Sequence, residues 1–135
     1  MNVRKNQSYL LQKILMKYEN GTRVYKMQQW SKSDKKIAKE LFELARKRDY
    51  ANLANAIQIK SKNLTTPLSI WDLRDFLNSK AKEFDQKYDY RYSVLDNVFA
   101  GFILEDILTL DEMQRFSKRK QEQIKHILNL FGEIS

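Results

Sequence analysis

Cysteine is missing from all 135 residues, which removes both a disulfide framework and thiol chemistry from consideration. Glycine is scarce, at three residues, and proline occurs once. Sheets joined by tight turns need more of both, so the expected class is all-α. The one histidine, His126, cannot belong to a His/Cys metal cluster. No glycine-rich phosphate loop, no histidine paired with a nucleophile and no isolated carboxylate pair is present. Neither an enzyme nor a bound metal or cofactor is therefore expected. Long apolar runs are lacking as well: a spanning helix needs about 20 such residues, and Lys13 and Lys17 interrupt Leu10, Leu11, Ile14 and Leu15. A soluble, cytoplasmic protein is expected.

What is present is helical periodicity on a basic chain. The net charge is +8. Residues 1–48 hold 13 basic and 4 acidic side chains, residues 72–112 hold 5 and 10, and the last 23 residues hold 5 and 2. A nucleic-acid binder would favour one uninterrupted basic face, so this alternation makes nucleic acid a poor candidate partner. A length of 135 residues suits one ordinary domain, expected over 27–135 behind an N-terminal leader over 1–26. Within the leader, residues 1–19 have the pattern of a short amphipathic helix stopped by Asn20-Gly21.

Ser31 or Ser33 can cap a helix running to about Ser61, with Ile37, Leu41, Leu44, Leu53 and Ile57 inward. A rod of roughly 45 Å is longer than so small a core can cover, which suggests a second copy or a partner. Pro67 breaks the chain. Ser69 and Asp72 have capping-box spacing, with Leu68 and Leu73 placed as a staple, for a next helix. At about 100° per residue, Leu73, Phe76, Leu77, Phe84 and Tyr88 form its core stripe, and Trp71, Asp75, Asn78 and Lys82 fall opposite. An exposed indole beside charges suits a subunit interface or a partner-binding surface. After Asp89-Tyr90-Arg91-Tyr92 the pattern changes phase. An apolar helix follows from Val94, and Thr109 with Glu112 form a second capping box that opens a last helix through Phe131. Tyr88, Tyr90 and Tyr92 beside Arg91 read as a packed corner more readily than as a base-stacking surface.

Trp71, Leu73, Asp75-Phe76-Leu77, Lys80, Asp85, Lys87-Tyr88-Asp89, Arg91, Ser93-Val94 and Val98-Phe99-Ala100, with the Trp30 to Trp71 spacing, resemble the fluorescence recovery protein family over residues 28–128. That resemblance implies an all-helical homodimer with a long-helix stem and a compact helical head, without catalytic activity. Its cyanobacterial members bind the photoactivated orange carotenoid protein and speed its return to the dark state. Trp71, Arg74, Asp75, Asn78, Lys82, Tyr88 and Arg91 are the candidate partner or dimer interface. The pattern departs from the family at Arg74, where the family has His, and at Ala81 for Arg, Asn97 for Phe and Gln123 for a basic residue. The Lys-, Asn- and Ile-rich composition is also similar to a regulator of bacterial effectors on the same scaffold, which inhibits ubiquitin deamidases, one of them also a transglutaminase. The resulting expectation is a non-enzymatic inhibitor of such an effector, tied to virulence and delivery into a host cell. The alternative is recovery of the orange carotenoid protein.

Overall fold

A computed structural model describes residues 30–134; the expected leader helix and its Asn20-Gly21 stop lie outside them. Four α-helices and no strand are found among the described residues. Helix α1, Lys32–Ser61, starts where the extended Ser31 lets its Oγ accept the Asp34 N–H at 3.1 Å. Its 30 residues extend for roughly 45 Å.

The buried side of α1 is Asp34, Ala38, Leu41, Phe42, Ala45 and Asp49, all in its first two thirds. Ile37, Leu44, Leu53 and Ile57, expected inward, are only half-buried. The fully buried stripe runs instead through Ala38, Leu41, Phe42 and Ala45. Beyond Asp49 no residue of α1 is fully buried, so this half of the helix projects from the core.

Helix α2, Pro67–Lys87, returns alongside that projection. It begins earlier than the Ser69 cap expected from the sequence, because Thr66 takes the N-cap and Ser69 becomes the far member of the box. Pro67 therefore sits at N1, where its missing N–H costs no helical hydrogen bond. Leu68 consequently lies inside the helix and is 69% exposed, so the staple expected of it has no counterpart. Only Phe84 and Lys87 of α2 are buried, while Leu73 and Phe76 are half-buried and Leu77 is exposed.

Helix α3, Leu95–Leu104, is buried along its whole run from Leu95 to Phe102, the condition of a central helix. It closes in a Schellman pattern, with Asp106 N–H donating to Ile103 O at 3.0 Å and Ile107 N–H to Phe102 O at 2.9 Å. Asp106 supplies the left-handed residue, φ 60°, that glycine usually supplies. Thr109 and Glu112 do form a reciprocal box, but it opens the short 3-10 turn Glu112–Arg115. The last helix, α4, Lys118–Ile134, begins only after Ser117. Leu41, Leu95, Phe99, Phe102, Phe116 and Ile124 are among the fully covered side chains that join α1, α3, the turn and α4 into one head.

Candidate protein-binding site

Spacings of four, three and four residues put Trp71, Asp75, Asn78 and Lys82 on one side of α2. All four are exposed, Trp71 to 54%. Arg74 ties two of them together. Its Nη2 lies 3.0 Å from Asp75 Oδ1 and its guanidinium carbon 5.2 Å from the centre of the Trp71 ring. With both partners more than half exposed, the ion pair stabilises by no more than about 1 kcal/mol. Its consequence is geometric: a flat indole is presented with a neutralised charge pair beside it.

Tyr88 and Arg91 lie elsewhere, at the corner where α2 meets the head. Arg91 is exposed and pairs with Asp89 at 2.6 Å. Tyr88 is half-buried, packs edge-on against Phe42, and donates its hydroxyl to Asp49 Oδ2 at 2.7 Å. Burial, then the hydrogen bond and charge of Asp49, push the Tyr88 hydroxyl far above its ordinary value, so it remains a donor. Tyr90 stacks edge-on to Phe42 and Tyr92 lies tilted against Trp30. These rings pack onto the head by one side, and Tyr90 and Tyr92 stay partly exposed.

The same corner holds a cluster not expected from the sequence. Lys87 Nζ lies 2.7 Å from Asp49 Oδ2 and 2.9 Å from Glu105 Oε1, and all three side chains are at most 4% exposed. Burial alone would lower the Lys87 pKa, yet the combined pull of Glu105 and Asp49 raises it. A second buried lysine behaves oppositely. Lys120 Nζ is 2.9 Å from Asp96 Oδ1 and 3.8 Å from the centre of the Trp30 ring, and burial outweighs Asp96 to lower its pKa. A sequence signal for both existed: Asp49 continues the Ala38, Leu41, Ala45 stripe, Lys87 follows Phe84 by three, and Lys120 precedes Ile124 by four.

Between α1 and the outer part of α2 the hairpin is incompletely filled. Leu53, Ala56, Phe76 and Phe84 border a cleft of about 220 Å³, and Ile59, Leu64 and Leu73 border another of about 370 Å³. Among the described residues no group of three or more His, Asp or Glu side chains is placed to hold a metal, and no helix is long and apolar enough to cross a membrane.

Residues 30–128 match the family described as photoprotection regulator fluorescence recovery protein. The fluorescence recovery protein of Synechocystis sp. PCC 6803 is 34% identical over 101 residues, which cover 75% of this chain and 93% of that protein. The solved structures of the Fremyella diplosiphon and Synechocystis fluorescence recovery proteins each superpose with a TM-score of 0.71 at 33% identity, covering 75% of this chain and 99% of theirs.

These likenesses overturn the expected inhibitor of ubiquitin deamidases and transglutaminase, and with it the effector-regulator, virulence and host-delivery readings: all of them point to photoprotection. The reason lies in what carried that expectation. Composition reports solvated helix faces and says nothing of a partner's surface. Of the four departures from the family pattern, Asn97 is 3% exposed and Gln123 half-buried, so they do not all remodel a docking face.

Proposed function

The chain belongs to the fluorescence recovery protein family, and from that premise we propose that it is a non-enzymatic photoprotection regulator acting on an orange carotenoid protein. It binds the photoactivated form and speeds its return to the dark state. The observation that carries this reading is the family match across residues 30–128, nearly the whole described body. A binder changes its partner's state by holding one conformation more tightly than another, and an aromatic, charge-balanced face can do that.

We further propose that the active species is a homodimer, with residues 27–135 as its single domain and residues 1–26 as a leader. The half-covered Leu53, Phe76 and Leu73 and the exposed Trp71 leave apolar area on the hairpin that a second copy would bury. On this reading Trp71, Arg74, Asp75, Asn78 and Lys82 serve an interface, and Tyr88 and Arg91 belong to the corner that carries it.

The test is a mixing experiment with purified orange carotenoid protein. After photoactivation, loss of the red form is followed by absorbance in the dark, with and without this protein. Acceleration that saturates with added protein is expected. Unchanged recovery at a several-fold excess would remove this function.

A further inference from the structure

We infer that Lys87 is a positioning residue that fixes the angle at which the hairpin leaves the head. The site is the meeting point of three elements. Asp49 lies midway along α1, Lys87 is the last residue of α2, and Glu105 is the C-cap of α3. One ammonium bonds both carboxylates, at 2.7 and 2.9 Å, while the Tyr88 hydroxyl holds the same Asp49 oxygen at 2.7 Å.

The apolar contacts around this point do not define an angle as sharply. Phe84, Tyr50 and Tyr88 meet through ring edges and faces, and such contacts slide at little cost. Charged hydrogen bonds out of water are directional, and breaking one strands a buried charge, so they select one arrangement. Leverage makes the selection matter. Trp71 precedes Lys87 by 16 residues, roughly 24 Å along the helix. A tilt of about 10° at Lys87 would carry Trp71 sideways by about 4 Å on that lever arm, more than the length of a hydrogen bond. The inference rests on the reading that the hairpin face is where another molecule docks, and it names the residue that aims that face.

Because the chain lacks cysteine, Ser79→Cys and Glu122→Cys place two spin labels uniquely, one on the exposed side of α2 and one on the exposed side of α4. The doubly labelled protein is diluted with unlabelled protein so that distances within one copy dominate, and pulsed dipolar spectroscopy gives their distribution. A single narrow distribution is expected for the parent. Ser79 precedes Lys87 by eight residues, roughly 12 Å, so Lys87→Met should broaden the distribution or shift it by about 2 Å or more while circular dichroism stays helical. The Asp49→Leu/Lys87→Met/Glu105→Leu protein, which removes both carboxylates together with the ammonium, should still give the broad distribution. It decides the matter if Lys87→Met does not fold. A parent-like distribution in either folded variant would overturn the inference, because packing alone would then set the angle. The distances are measured without carotenoid protein, so they stand apart from the recovery assay: a failed recovery leaves them intact, and unchanged distances leave the recovery function intact.

Discussion

Trp71→Ala should weaken self-association strongly while leaving the protomer folded. The ring is 54% exposed, and a tryptophan presents at most about 250 Å², so about 135 Å² remains for a second copy to cover. At about 25 cal/mol per Å² this is about 3.4 kcal/mol for one ring, and near 7 kcal/mol for the two rings of a twofold dimer. Complete coverage is a ceiling. With half of that area covered on each copy, the loss is about 3.4 kcal/mol, or about 300-fold in the dissociation constant. The protomer itself should change by no more than about 0.5 kcal/mol, since an exposed side chain is removed. Sedimentation velocity over a concentration series measures the first quantity, and urea unfolding of dilute protein measures the second. A dissociation constant within about threefold of the parent's would refute the placement of Trp71 between copies; 0.5 log units is about 0.7 kcal/mol, far below the worked loss. Dark recovery with the same variant would then show whether the ring meets the carotenoid protein instead.

Lys87→Met should destabilise by about 3–5 kcal/mol, because two buried carboxylates lose their cation, and the urea midpoint should fall accordingly. The Lys87 pKa is raised on folding, so its contribution is fully present below about pH 10.4 and is lost as pH rises through the higher folded value. Tyr88, also raised, has the same sign; alkaline unfolding of the parent should therefore steepen above about pH 10, and Lys87→Met should flatten it. Lys120→Met should cost a similar amount, about 3–5 kcal/mol, because the buried Asp96 loses its ammonium partner, and Lys120→Met/Asp96→Leu should recover part of that loss in urea unfolding. Thr66→Ala removes the oxygen that accepts the Ser69 N–H at 3.2 Å and should cost about 1 kcal/mol, with faster hydrogen exchange confined to the first turn of α2.

Much of the fold was legible without coordinates because it is written locally. The scarcity of glycine and proline, the break before Pro67 and the phase change around Asp89-Tyr90-Arg91-Tyr92 are properties of adjacent residues, and they suffice for an all-helical chain with Trp71 exposed on its second described helix. Local rules also misplaced boundaries where two caps competed. Thr66 displaced Ser69, and the Thr109–Glu112 box went to a 3-10 turn because Ser117 caps α4 with help from Asp34, whose carboxylate accepts both its N–H and its hydroxyl.

The sequence placed Asp49, Lys87 and Lys120 on apolar stripes but could not say which charges pair there. Asp49, Lys87 and Glu105 are separated by 38 and 18 positions, and whether a charged residue on an apolar stripe faces water or a partner depends on which helices meet there. The same holds for the half-empty hairpin. Periodicity marked Leu73, Phe76 and Leu77 as a core face, but only the tertiary arrangement decided that the head ends near Asp49 and leaves that face short of cover. Sequence alone determined which residues can share a side of a helix, because the helical repeat is a local property. What each side meets was decided by long-range packing, in which burial, pairing and exposure are set by residues far away in the chain.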